Sequence, residues 1–199
     1  MSAEFTLFMG PMASGKSSHL VTELEKHSIA GRQVVAINPE LNQRDSSLES
    51  RNGLRFDAIK TKSLGSIAVD ERLKSAEVVG VDEAFMFEAK DARDSFALWL
   101  AQNKIVLASS LDITAMGKVP ETVEALLELG PDIVQTRSVC ETCLSLDGRF
   151  TLIYSQETGD PIRSGLPEVV PDDGSLIYRP ACRPCFMGWN NLDSNLDRG

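Results

Sequence analysis

Residues 10–17 read Gly-Pro-Met-Ala-Ser-Gly-Lys-Ser and directly follow the apolar run Phe-Thr-Leu-Phe-Met at 5–9. The stretch is a complete G-x-x-x-x-G-K-[ST] phosphate-binding loop, because a predicted strand precedes it and a helix opening at Lys16 follows. Gly10 and Gly15 let the main chain approach phosphate oxygens closely, and the helix adds its positive N-terminal end. We therefore predict a nucleoside-triphosphate site; the alternative is a glycine-rich turn that only caps a helix.

The whole loop is a candidate site for ATP and Mg²⁺. Lys16 is placed to reach the β- and γ-phosphates, and the Ser17 hydroxyl is placed to bind Mg²⁺. The other predicted members of the site are Gly10, Pro11, Met12, Ala13, Ser14 and Gly15.

The composition is that of an ordinary globular protein, with 199 residues, 42% hydrophobic and 25% charged. No apolar run approaches the roughly 18 residues that span a bilayer, and the first basic residue is Lys16, so no secretory signal is predicted. We expect a cytoplasmic protein without membrane contact. The formal net charge of −9 argues against a nucleic-acid partner, which needs a basic face.

Short apolar strands alternate with helices up to about residue 138. This alternation predicts an α/β fold of the P-loop NTPase type, with a parallel sheet, helices on both faces and ligands beyond the carboxyl ends of the strands. The predicted strands are 5–9, 34–37, 78–81, 105–109 and 132–136, the predicted helices are 18–30, 64–76, 89–102 and 121–129, and 38–52 is a predicted loop.

The composition changes after residue 138, where Gly, Pro and Cys become frequent and only short β-like pieces occur, at 149–154 and 176–178. We therefore predict three units. A P-loop nucleotide-binding domain covers 1–138, a small subdomain covers 139–187, and a polar, mobile tail covers 188–199.

All four cysteines fall in two C-x-x-C pairs, Cys140/Cys143 and Cys182/Cys185. Two such pairs complete a tetrahedral S₄ set for a structural Zn²⁺ that would staple the chain between them. Disulfides are the weaker interpretation without a secretory signal, and a redox C-x-x-C normally occurs once, at the start of a helix. Free thiols are the remaining alternative.

Two adjacent acids, Asp82 and Glu83, end the apolar run at 78–81. An acid in this place after a phosphate-binding loop suits Mg²⁺ binding, and its neighbour is placed to accept a proton from an attacking hydroxyl. Two acids at a strand end also occur as ordinary loop residues.

With these residues the chain resembles the cytosolic-type (type II) thymidine kinases from about Phe5 to Cys185. The resemblance rests on the loop at 10–17 and on five further motifs in the family's order: Val81-Asp82-Glu83-Ala84, Leu111-Asp112, Cys140-x-x-Cys143, Phe150-Thr151 and Tyr178-x-x-x-Cys182-Arg183-x-Cys185.

The resemblance implies a zinc-stapled lasso that closes over a deoxynucleoside, usually in a homotetramer, and transfer of the γ-phosphoryl group of ATP to the 5′-hydroxyl of thymidine. It implies Glu83 as the general base and Asp82 with Ser17 as the pair that handles Mg²⁺. The remaining residues that it assigns are Arg44 at the ATP site and Tyr178, Thr151, Phe150 and Met86 at the substrate site.

The chain departs from the family pattern around the base. Met86 stands where the family has the first of two aromatics, the stretch 111–120 lacks two aromatics and an arginine, and Asp172-Asp173-Gly174 replaces Ile-Gly-Gly before the lasso tyrosine. Each lost ring removes stacking worth roughly 1 kcal/mol or more. The phosphate-binding residues match the family, whereas the base pocket is altered.

Two other functions compete with a thymidine kinase. One is a P-loop ATPase whose structural zinc ribbon contacts a macromolecule, although the ribbon mixes arginines with acids and does not favour nucleic acid. The other is a divergent family member with an altered or lost nucleoside specificity. The general base Glu83 argues against simple loss, because a dead kinase has no need of it.

Overall fold

A parallel sheet organises the chain in the computed structural model, which describes residues 3–42, 48–49, 55–167, 169 and 174–191. The first eight strands are β1 (Glu4–Met9), β2 (Val34–Pro39), β3 (Leu48–Glu49), β4 (Arg55–Phe56), β5 (Ile59–Thr61), β6 (Val78–Val81), β7 (Ile105–Ser110) and β8 (Asp132–Gln135). Six of them form the sheet in the order β5-β2-β6-β7-β1-β8, and every neighbouring pair is parallel. Strands β3 and β4 pair with each other, antiparallel.

Helices cover both faces of this sheet. They are α1 (Lys16–Ile29), α2 (Glu71–Ser75), α3 (Ala89–Ala101) and α4 (Glu121–Leu127), with short 3₁₀ turns at Gly65–Ile67 and Ala84–Met86. Helix α1 buries Leu20 and Leu24 against one face, whereas α3 and α4 bury Phe96 and Leu126 against the other. The predicted α/β class, with helices on both faces of a parallel sheet, is confirmed.

Helix α1 lies very close to the sheet at Gly80 of β6. A Cβ atom at Gly80 would stand 2.6 Å from Cδ1 of Leu24, so a larger residue there would require the Leu24 side chain to shift. The helix therefore packs tightly on the middle of the sheet. The phosphate-binding loop directly precedes the first turn of this helix.

The structure differs from the sequence prediction between β2 and β6. The predicted helix 64–76 is a 3₁₀ turn followed by α2, because the Asp70 side chain accepts the N–H of Arg72 and starts a new helix. The predicted loop 38–52 is wrong at two places, because β2 continues to Pro39 and strand β3 occupies Leu48–Glu49. Strand β5 was not predicted, as three residues are too short to show a periodic pattern.

The predicted C-terminal subdomain contains the antiparallel pair β9 (Phe150–Ser155) and β10 (Leu176–Ala181), followed by α5 (Arg183–Asn191). Helix α5 continues past residue 187, where the sequence places the start of the tail, because Trp189 is buried against the subdomain core. The rest of the predicted tail, 192–199, lies outside the described residues.

Candidate active site

The candidate catalytic residues meet at one edge of the sheet. The phosphate-binding loop follows β1, Asp82 and Glu83 follow β6, and Leu111 with Asp112 follows β7. Since these three strands are parallel and adjacent in the order β6-β7-β1, their carboxyl ends lie side by side. This is the edge at which open α/β sheets bind ligands.

Two glycines give the phosphate-binding loop its shape. Gly15 has φ +83°, in the left-handed region that a side chain disfavours, and it precedes the first turn of α1. Gly10 has no room for a side chain, because a Cβ atom there would lie 2.3 Å from Oγ1 of Thr136. Thr136, which the sequence analysis did not identify, also donates from its hydroxyl to the carbonyl of Met9 at 3.0 Å.

Lys16 lies inside this loop rather than in solvent. Its side chain is only 4% exposed, and its Nζ donates to the carbonyl of Pro11 at 3.0 Å. The first turn of α1 contains no acidic residue. A buried ammonium group beside the positive end of a helix therefore makes this loop a site for an anion.

Asp82 is held by two serine hydroxyls. Oγ of Ser17 donates to its Oδ1 at 2.8 Å, and Oγ of Ser109 donates to the same oxygen. Burial raises the pKa of the Asp82 carboxyl, against these two hydrogen bonds and the nearby Lys16 ammonium, which lower it. The hydroxyl and the carboxylate that the sequence assigns to Mg²⁺ are thus in direct contact.

Glu83 begins the 3₁₀ turn after β6 with φ +45°, an uncommon value for a residue with a side chain. Its backbone N–H donates to Oγ of Ser109 at 3.1 Å. The residue also lines a cavity, beside Asp82. The unusual backbone angle therefore occurs at the predicted general base.

Asp112 is a further half-buried acid at this edge. Its Oδ2 accepts from Nε2 of Gln135 at 2.7 Å, and its Oδ1 accepts from the N–H of Ile113 at 2.9 Å. Burial raises the pKa of Asp112, and these hydrogen bonds oppose that shift. Its side chain thus joins the ends of β7 and β8.

A cavity of about 330 Å³ opens beside these acids. Its wall combines apolar side chains, three of them methionines, with a few polar groups. The residues predicted from the sequence that line it are Met12, Ser17, Asp82, Glu83, Met86, Thr151 and Tyr178. Those that sequence reasoning did not assign are Asn42, Phe85, Leu111, Thr114, Ala115, Met116, Lys118, Ile153, Leu166 and Pro167.

Phe150 does not line the cavity. Successive side chains of a strand point to opposite faces, so Thr151 and Ile153 of β9 face the cavity whereas Phe150 packs inside the subdomain. Its ring stacks on Phe186 with 4.2 Å between centroids and 12° between planes. The side chain of Phe150 therefore lies on the opposite face of β9 from that of Thr151, and its assignment to the substrate site stays a prediction.

The four cysteine side chains converge at the base of the subdomain. Their Sγ atoms all lie within 4.8 Å of one another, 3.5 Å apart for Cys143 and Cys182. Zn–S bonds of about 2.3 Å in a tetrahedron set sulfur atoms about 3.8 Å apart, so the four thiols fit a metal ion of this kind.

The cysteine pKa values show how crowded this cluster is. Burial acts to raise the pKa of Cys140, but N–H groups of Cys182, Cys143 and Thr142 outweigh it and lower the pKa to about 6. The thiols of Cys182 and Cys143 raise the pKa of Cys185 to about 12. Four thiolates this close repel one another unless a cation lies between them.

Two sets of residues singled out in the sequence lie outside the part of the chain that the structure describes. Arg44, assigned to the ATP site, is outside the described residues, as is the altered pair Asp172-Asp173. Over the described ranges, no helix has both the length and the apolar character that crossing a membrane requires.

Comparison with known proteins places this site in a family. The family model described as thymidine kinase matches residues 3–186. A thymidine kinase from the archaeon Pyrobaculum aerophilum is 30% identical over 91% of this chain and 97% of that protein. A thymidine kinase of Vaccinia virus strain Ankara is 26% identical over 92% and 96%.

Among solved structures, AMPPCP-bound DnaA from Aquifex aeolicus aligns with a TM-score of 0.41 and 14% identity, over 70% of this chain and 42% of that one. That similarity is too low to support a conclusion. The family match, which covers the phosphate-binding loop, both acids and all four cysteines, is sufficient by itself: the chain belongs to the thymidine kinase family.

Proposed function

We propose that this protein transfers the γ-phosphoryl group of ATP to the 5′-hydroxyl of thymidine. The observation that carries the proposal is the joining of the phosphate-binding loop to the acidic strand end, where Ser17 donates to Asp82 at 2.8 Å. Glu83 follows directly and lines the cavity that also contains Thr151 and Tyr178. A phosphate site, a base and a nucleoside-sized cavity are therefore contiguous.

The loop supplies the phosphate site. Lys16 would neutralise charge on the β- and γ-phosphates, and Asp82 with Ser17 would hold Mg²⁺. ATP would supply the phosphoryl group, and Mg²⁺ held by these residues would neutralise charge on its phosphates. Lys16 is already buried against the loop, so its ammonium group is held in place before a ligand arrives.

Glu83 would accept the proton of the 5′-hydroxyl. As the O–H bond breaks, the nucleoside oxygen forms a bond to the γ-phosphorus, and the bond from that phosphorus to the β,γ-bridging oxygen breaks to release ADP. Phosphoryl transfer depends mainly on positioning and charge stabilisation. The half-buried place of Glu83 in the cavity wall suits this role.

The nucleoside would occupy the cavity, with Tyr178 and Thr151 on one side and Met86 on another. Tyr178 pairs directly with Ile153 in the antiparallel β9–β10 pair. A zinc ion on the four thiols would fix the end of this pair that lies next to the cysteines. Such a closed S₄ site has a structural role and no position for substrate.

We further propose a homotetramer in the cytoplasm, in line with the family resemblance. Strand β8 is an edge strand that exposes Ile133 and Val134, and edge strands of this kind favour pairing with another chain. Light scattering of the purified protein measures the assembly directly; a monomer at micromolar concentration would exclude it.

Steady-state assays of purified protein with Mg-ATP and thymidine, deoxyuridine, deoxycytidine or guanosine test the proposed function. We expect ADP release that depends on the nucleoside and is fastest with thymidine. Release independent of any nucleoside would indicate an ATPase, and a preference for another nucleoside would indicate a divergent kinase. The methionines in the cavity wall make this comparison informative, since flexible side chains adapt to different bases.

A further inference from the structure

Ser109, at the end of β7, contacts both acids of the site. Its side chain is fully buried, its hydroxyl donates to Oδ1 of Asp82, and it accepts the backbone N–H of Glu83 at 3.1 Å. We propose that Ser109 is a positioning residue for Glu83. The inference rests on the proposed function, and it adds a residue that no motif in the sequence marks.

Strand register brings Ser109 to this place. In the parallel pair of β6 and β7, Val81 lies opposite Ala108. The next residue on each strand is Asp82 and Ser109, so the carboxylate and the hydroxyl leave the sheet side by side. Because Ser109 is fully buried, water does not compete for its hydrogen bonds.

The two hydrogen bonds of Ser109 have fixed directions. The backbone N–H of Glu83 can only donate, and an ionised Asp82 carboxylate can only accept. The single hydroxyl proton therefore points to Asp82, and a lone pair of the same oxygen faces Glu83. Asp82 thus orients the hydroxyl, and the oriented hydroxyl holds the backbone of the next residue.

Glu83 needs such support because of its backbone conformation. A residue with a side chain at φ +45° is less favourable than in the right-handed region, because its Cβ atom comes close to the following carbonyl oxygen. The hydrogen bond to Ser109 opposes relaxation of this turn. A turn that relaxes would move the Glu83 carboxylate, and a displacement near 1 Å can cost about 10²-fold in rate.

Ser109→Ala tests the proposal, with Ser110→Ala as the matched control. Ser110 is also fully buried on β7, but its hydroxyl donates to the carbonyl of Leu111, away from both acids. We expect Ser109→Ala to lower kcat by about tenfold with KM values for ATP and thymidine within about twofold of wild type. We expect Ser110→Ala to keep kcat within about twofold, at a comparable melting temperature.

A double-mutant cycle with Glu83→Gln distinguishes a positioning role from a merely structural one. If Ser109 acts through Glu83, Ser109→Ala should cost at most about twofold in the Glu83→Gln background. The same tenfold loss in both backgrounds would overturn the proposal, as would an unchanged kcat for Ser109→Ala. Should Ser109→Ala fail to fold, Ser109→Cys replaces it in the cycle with the same expected non-additivity.

This experiment separates the two levels of the account. A well-folded wild-type protein that does not phosphorylate thymidine would remove the proposed function. An active wild type with a fully additive cycle would remove only the role of Ser109.

Discussion

The hydroxyl of Thr151 accepts the backbone N–H of Met12 at 3.0 Å. Thr151 belongs to β9 of the C-terminal subdomain, and Met12 belongs to the phosphate-binding loop, 139 residues earlier in the chain. Both residues also line the cavity. One hydrogen bond thus joins the proposed nucleoside site, on β9, to the proposed phosphate site, in the phosphate-binding loop.

Replacing Thr151 with Val removes this acceptor and keeps the shape of the side chain. Loss of this partly buried hydrogen bond should lower the free energy of unfolding by about 1 kcal/mol. We also expect higher KM values for both ATP and thymidine. Urea unfolding and steady-state kinetics measure these effects.

Thr151→Ser is the control, since it retains the hydroxyl and loses only a methyl group. The KM of this variant for ATP should be close to that of the wild type. If Thr151→Val raised only the KM of thymidine, the connection to the phosphate-binding loop would be wrong.

The cysteine cluster predicts about one zinc per chain in protein purified without added metal. Cys182→Ser leaves three thiols and should lower zinc affinity by at least about 10–100-fold. We expect a higher KM for thymidine, because the metal site would no longer hold the β9–β10 strand pair in place. Metal analysis and a competitive chelator titration measure the affinity.

Thr142→Ser, between the first two cysteines, is the control for this change. It keeps all four thiols at a side chain that is exposed. Full-length protein that holds no metal and retains normal activity would contradict the structural zinc.

Lys16→Ala should lower kcat by at least about 10²-fold, the usual cost of removing a positioned group that stabilises charge in the transition state. The structure adds that Lys16 also donates to the carbonyl of Pro11, so a modest loss of stability should accompany the kinetic effect. Thermal unfolding followed by circular dichroism measures the loss of stability separately from the loss in kcat.

Lys26→Ala, on the exposed side of α1, serves as the matched control. Lys26 forms an exposed ion pair with Glu23, a contact worth little. Near-normal turnover of Lys16→Ala would show that this ammonium group does not reach the transferred phosphate.

Glu83→Gln changes the charge of the base while hardly changing its shape. We expect ATP and thymidine to bind almost normally and turnover to fall by about 10²–10⁴-fold, the usual contribution of general acid–base catalysis. A loose transition state makes base catalysis less demanding, so we expect the lower end of this range. Unchanged turnover, with the chemical step shown to be rate-limiting, would leave Glu83 as a structural acid beside Asp82.

The sequence predicted the parts of the site that lie within short, contiguous motifs. The loop at 10–17, the acids at 82–83 and the two C-x-x-C pairs carry their chemistry in local spacing. The alternation of strands and helices was equally readable for the other five strands of the sheet, which have four to six residues each, but not for the three-residue strand β5.

What the sequence did not predict depends on register between distant segments. Ser109 reaches Asp82 only because β7 lies beside β6 with Ala108 opposite Val81, and Thr136 reaches Gly10 across the ends of β8 and β1. The sequence likewise does not show that strand alternation puts the side chains of Phe150 and Thr151 on opposite faces of β9. Such contacts are set by tertiary packing and leave no local pattern.

The central claim is transfer of a phosphoryl group to the nucleoside. It is tested most directly by incubating the purified protein with thymidine, Mg²⁺ and ATP labelled at the γ-phosphate, and by locating the label in the products. We expect the label on the 5′-oxygen of thymidine monophosphate, in amounts equal to the ADP formed, and its loss in Glu83→Gln. Label recovered as inorganic phosphate at a rate independent of thymidine would contradict the account.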